Sequence, residues 1–148
     1  MTFIQIFAEF KFIIIPCIAW VTAQFIKFAI HLFKTRRIDF TKFTGSGGMP
    51  SSHTALTVCL ATLIGFSEGL RSPLFGLALI FALVVMYDAA GVRRASGKQA
   101  KVLNRMLYHQ KGDDYHLEEV LKELIGHTPV EVITGAALGI LIAYLLMP

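Results

Sequence analysis

Three short stretches carry residues suited to handling a phosphate. The first is Gly45-Ser46-Gly47-Gly48-Met49-Pro50-Ser51-Ser52-His53, which runs straight into an apolar segment. Glycines let a backbone approach a ligand closely, and proline is well tolerated in a helix's first turn. Free N–H groups at such a helix start attract anions, phosphate above all, and His53 is delivered there to move a proton. A plain turn with a Ser N-cap accounts for the same letters. The second stretch, Gly126-His127-Thr128-Pro129-Val130-Glu131, enters the last apolar segment. A helix beginning there sets His127 just outside it and Glu131 one turn in, where a carboxylate orients an imidazole as in catalytic triads. Thr128-x-x-Glu131 with Pro129 between is also a capping box, and both uses are open to a carboxylate with two oxygens.

The third stretch runs from Asp88 through Gly91, Arg93, Arg94 and Gly97 to Lys98 and Gln99. Two adjacent arginines and a lysine can grip phosphate, arginine bidentately. Basic residues beside a membrane more commonly touch lipid headgroups, and Asp88 is within reach of pairing with one of the arginines. Lys27 is a charge inside an apolar span, with Gln24 one turn deeper on the same face. Such a charge turns towards protein or water, or snorkels to the interface. His31 is expected at the interface, and His109 and His116 in solvent.

The elements that position these residues follow from composition. The 148 residues are 55% hydrophobic and 16% charged, with 12 Phe, and the mean hydropathy is +0.62. That leaves too little polar surface to coat a soluble domain, so several segments must face lipid. The net charge of +4 and pI near 9.2 fit basic loops on one side of a membrane better than nucleic-acid binding, which is not expected. Four apolar segments stand out: about Phe12 to Phe33, Thr54 to Phe66 (extendable to Leu70), Pro73 to Ala90, and Val130 to Met147. About 20 residues cross a bilayer, so the first is comfortable and the others short. The expectation is one all-α domain over residues 1–148, a polytopic bundle of about four transmembrane helices.

With four crossings, Lys34 to His53 and Gly91 to Thr128 share one side, and the termini with Ser67–Ser72 share the other. Lys34, Arg36, Arg37, Lys42, Arg93, Arg94, Lys98, Lys101, Arg105, Lys111 and Lys122 then oppose only Lys11 and Arg71. This asymmetry puts the motif-bearing loops in the cytoplasm of a multi-pass cell-membrane protein. Two short amphipathic helices are predicted in the third loop: Lys98 to Tyr108, with Val102, Leu103, Met106 and Leu107 at helical spacing, and a second carrying Leu117, Val120, Leu121, Leu124 and Ile125. Cys17 and Cys59 read as small buried hydrophobes. Glu9 and Lys11 interrupt the early apolar run, so no cleavable leader is expected. No internal repeat or low-complexity tract is evident.

Pro50-Ser51-Ser52-His53 resembles the Pro-Ser-Gly-His motif of the type 2 phosphatidic acid phosphatase (PAP2) superfamily, which includes vanadium haloperoxidases. His127 and Glu131 resemble the end of its last motif, where a His precedes an Asp by four. Gly47 to His53, the Tyr87-Asp88 to Gln99-Ala100 stretch and His127-Thr128-Pro129-x-Glu131 together resemble the divergent PAP2 family of small bacterial membrane proteins. The resemblance implies that His127 attacks phosphorus to form a phosphohistidine, oriented by Glu131, while His53 protonates the leaving alcohol. It also implies a phosphate cradle of Ser51, Ser52, Gly48 and nearby backbone N–H groups. The chemistry needs no metal or cofactor. Ser52 replaces the motif's Gly, Glu131 replaces Asp, Leu121 stands where the last motif has Arg, and no Lys-x6-Arg-Pro precedes Pro50. Lys27, Arg93 and Arg94 are the substitutes for that cationic clamp, by charge and by side of the membrane.

The leading expectation is therefore a membrane-embedded phosphatase of a phosphorylated lipid, a phosphatidate or a polyprenyl pyrophosphate, at the cytoplasmic face. A non-catalytic binder or carrier of anionic phospholipids is the alternative. A small transporter subunit has only Lys27 in its favour, and haloperoxidase chemistry belongs to soluble relatives. Four helices are few for the superfamily, so a homodimer is an expectation, with Gly135, Ala136 and Gly139 as its small-residue face.

Overall fold

The computed structural model describes residues 3–36, 48–111, 121 and 126–147, and the side chains among them of 6–36, 48–106, 121 and 126–147. Every regular element among these residues is an α-helix: α1 (Phe3–Thr35), α2 (Ser52–Glu68), α3 (Pro73–Ala90), α4 (Val92–Lys111) and α5 (Pro129–Leu146). Three helical runs are long and apolar enough to cross a membrane, Ile6–Thr35, Pro73–Met106 and Pro129–Leu146. The 17 residues of α2 span about 25 Å at 1.5 Å each. That is short of a hydrocarbon core of about 30 Å.

The short helix is the central one. It packs against α1, α3 and α5, and it buries Thr54, Ala55, Thr57, Cys59, Ala61, Leu63, Ile64 and Gly65. Its neighbours present small residues at helical spacing. On α1 these are Ala19 and Ala23 with Ile15; on α3, Ala78 and Ala82; on α5, Gly135, Gly139 and Ala143. Large apolar side chains of α3 point outward instead, among them Leu77, Ile80, Phe81 and Val84. This inversion suits a bundle in lipid, where close backbone approach holds helices together and bulky residues meet acyl chains.

A Cβ on Gly135 would overlap the Ser51 carbonyl, and one on Gly139 would overlap that of Ala55. The pair expected to serve a homodimer is therefore occupied inside the chain, seating α5 against α2. Helix α1 begins well before Phe12. Glu9 and Lys11 are good helix formers, and their neighbourhood appears as a kink at Phe10 rather than a break. Helix α4 begins at Val92, six residues before the predicted start, because Gly91 alone separates it from α3. The second amphipathic helix lies outside the described residues apart from Leu121, which is not helical; His109 and His116 also lie outside the described side chains. Cys59 is buried as expected, but Cys17 faces outward from α1.

Candidate functional site

Capping places the second motif. Thr128 caps α5: its Oγ1 accepts the Glu131 N–H at 3.3 Å, and Glu131 Oε2 accepts the Thr128 N–H at 3.4 Å. The same Oε2 lies 2.8 Å from His127 Nδ1, so one oxygen serves both the cap and the imidazole. An ionised carboxylate only accepts. In the neutral tautomer that donates to such a carboxylate, His127 carries its proton on Nδ1 and keeps the Nε2 lone pair. His127 is 4% exposed, and its backbone N–H donates to Ala89 O at the end of α3 (2.8 Å). Gly126, at φ +93°, lies so close to the Arg93–Arg94 backbone that a Cβ would overlap it. The turn into His127 is thus wedged between the end of α3 and the start of α4.

Capping also places the first motif. Ser51 caps α2, with Oγ accepting from Thr54 N–H (3.4 Å) and Thr54 Oγ1 (3.0 Å). Its own N–H donates to Glu131 O at 2.9 Å, which joins the two motifs directly. Ser52 turns inward, where its Oγ accepts from Lys27 Nζ at 3.1 Å. The Lys27 stem runs past Gly48, where a built Cβ would be 4.0 Å from Cδ. Gln24 is buried one turn deeper on α1.

His53 turns the other way, into a cavity of about 250 Å³ lined by His53, Val84, Val85, Asp88, Ala89, Arg93, Gly126 and His127. The two histidines thus share one space. Arg93 Nε donates to Asp88 Oδ2 at 2.6 Å, which leaves the guanidinium's terminal nitrogens for other acceptors. His53 precedes the apolar run that starts at Thr54. Burial first, then the positive charges of Arg93 and Lys27 and the second imidazole, hold its pKa below the ordinary histidine value, with Asp88 opposing them.

The structure therefore gathers His53, His127, Arg93 and Asp88 around the cavity, with Glu131 behind His127. Ser51, Ser52, Lys27 and Gln24 form a buried layer that does not line it, and Gly48, beside Lys27, is exposed and also outside the lining. Arg94 and Lys98 are exposed on α4, away from the lining. Two residues gain roles that spacing did not assign. Gly126 supplies the close approach behind His127. Asn104 exchanges hydrogen bonds with the Leu121 backbone, Nδ2–H to O at 2.8 Å and N–H to Oδ1 at 2.9 Å. The only signal for Asn104 was a polar residue in register with Gly97 and Ala100 on α4.

The sequence model of a family described as the divergent PAP2 family matches residues 8–142. A Bacillus subtilis (strain 168) protein described as the uncharacterized membrane protein YuiD is 39% identical over 139 residues, covering 86% of this chain and 88% of its own. No solved structure matches.

Proposed function

This chain belongs to the divergent PAP2 family, and from that premise we propose that it is a metal-independent phosphatase of a membrane lipid phosphate. The observation that carries the reading is the single cavity shared by His53 and His127, with Glu131 Oε2 on His127 Nδ1.

In the first step, His127 Nε2 attacks phosphorus as the bond to the lipid oxygen breaks. His53, as imidazolium, gives its proton to the departing oxygen, so a neutral alcohol leaves, or a lipid monophosphate when the substrate is a pyrophosphate. Glu131 stabilises the positive charge that spreads over the His127 ring. In the second step, His53, now neutral, takes a proton from water as that water attacks the phosphohistidine. The N–P bond breaks, inorganic phosphate forms, and His127 regains its lone pair. Arg93 is the cation for the phosphoryl oxygens, through the terminal nitrogens its bond to Asp88 leaves over. Val84, Val85 and Ala89 continue the cavity wall along α3, which suits a substrate with an anionic head and an apolar tail. The excess of Lys and Arg on the motif-bearing loops supports a cytoplasmic face.

The test is phosphate release by the purified protein in lipid–detergent micelles, across a panel of lipid phosphates with chelator present. Turnover should persist in chelator and vanish in His53→Ala and His127→Ala. Turnover abolished by chelator would overturn the metal-free mechanism. The second reading, a non-catalytic binder of anionic phospholipids, is favoured by the Asp88 carboxylate already partnering the cavity's one arginine. It predicts lipid-phosphate binding that survives His127→Ala, with no phosphate released from any substrate.

A further inference from the structure

Helix α4 divides into three strips. Gly97, Ala100 and Asn104 are buried. Arg94, Lys98, Lys101 and Arg105 are all exposed, and at about 100° per residue they fall within an arc of about 60°. No described carboxylate pairs with any of the four, whereas Arg93, off that strip, is held by Asp88. The third strip is apolar and also exposed: Val92 (57%), Val102 (51%), Leu103 (48%) and Met106 (59%). A row of cations beside a row of large apolar side chains is the pattern of a helix lying in a membrane interface, not of one surrounded by water. The helix also follows directly on α3, an apolar helix of 18 residues, with Gly91 alone between them.

We propose that α4 docks on an anionic lipid surface, its cations on headgroups and its apolar strip in the acyl boundary, and that this docking sets the position of His127. The second half of the proposal rests on the phosphatase reading; the first does not. The link is the buried strip. Asn104 grips the Leu121 backbone in both directions, and Gly126 is wedged on the Arg93–Arg94 backbone. Helix α4 thus holds both ends of the segment that leads into His127. Fixing α4 on the membrane fixes the imidazole against Glu131 and the end of α3.

The full-length protein is reconstituted in vesicles of phosphatidylcholine alone or mixed with phosphatidylglycerol. Amide hydrogen exchange of α4 and phosphate release from a water-soluble phosphomonoester are then followed together. Anionic vesicles should protect α4 and raise turnover about tenfold, the scale expected of one or two headgroup contacts, and high salt should reverse both. Replacing Arg94, Lys98, Lys101 and Arg105 together by Gln should remove both effects. Exchanging Arg for Lys and Lys for Arg at the same four positions should keep them. Asn104→Ala should keep the protection and lose the gain in turnover. Equal protection in both vesicle types would overturn the docking. So would protection by a soluble polyanion added to neutral vesicles, since that would identify a polyanion, not a bilayer, as the partner. Protection without a gain in turnover would overturn the coupling. Lipid-dependent protection in a protein that releases no phosphate would support the docking and count against the phosphatase.

Discussion

Lys27 and Arg93 are two cations whose charge reaches His53, and the molecule treats them differently. Lys27 is 7% exposed, gives its ammonium to Ser52 Oγ, and lies outside the cavity lining. Arg93 is about half exposed at the cavity wall, fixed through Nε by Asp88. One cation ties α1 to the start of α2; the other faces whatever enters. The same division separates Ser52 from His53, adjacent in sequence, one turned to Lys27 and the other to the cavity. The lesson is that charge and proximity to a motif do not make a ligand-binding residue. The helix face decides which cation is buried in the scaffold and which lines the cavity.

That contrast predicts that cavity substitutions change turnover and buried-layer substitutions change stability. The largest effect is expected for His127→Ala, a loss of at least about 10³-fold in phosphate release by protein that is still folded in detergent. Gly135→Ala should destabilise by about 1–3 kcal/mol, because its methyl group must part α5 from the Ser51 backbone. A normally stable Gly135→Ala protein would show that α5 does not approach α2 so closely. Lys27→Met should cost about 1–3 kcal/mol by leaving the Ser52 hydroxyl without its donor, with KM nearly unchanged. A rise in KM without loss of stability would place Lys27 on the substrate and dissolve the distinction. Arg93→Gln should do the reverse, raising KM about tenfold while stability moves by less than about 0.5 kcal/mol, as for an exposed ion pair.

The smallest effect concerns pH. His53 must be protonated to act as the acid, and its neighbours hold its pKa below the ordinary value of 6.5. Turnover should therefore fall as pH rises through a value below that figure. Arg93→Gln removes one of the charges that push it down, so the limb should move to higher pH. Asp88→Asn removes the charge that opposes them and should move it lower. A limb that ignores both variants would remove His53 from the acid role.

Much of this architecture was legible in the letters. The serine before Ser52-His53 and Thr128 before its proline mark the starts of α2 and α5. Such signals act within one turn of backbone, so they survive without any knowledge of packing. The Thr128–Glu131 box and the His127–Glu131 pair were legible together for the same reason. The Gly135–Gly139 pair was legible as a close-packing face but not as to its partner, because a stripe of small residues fits any helix that matches it. The start of α4 was missed because glycine signals a stop equally well whether solvent or another helix follows.

Composition and short-range spacing were enough to specify a lipid-embedded all-α chain, the caps of α2 and α5, and the pairing of His127 with a carboxylate one turn on. These follow from composition and from contacts spanning at most four residues. Helix packing was needed to bring His53 and His127, 74 positions apart in sequence, onto one cavity. It also decided that Lys27 turns to Ser52, that Arg94 and Lys98 turn away, and that α4 meets the chain at Leu121 and at Gly126. Those outcomes depend on how α2 is rotated against its neighbours. That rotation is set by small residues far apart in the chain, whose close approach exists only once the helices have packed.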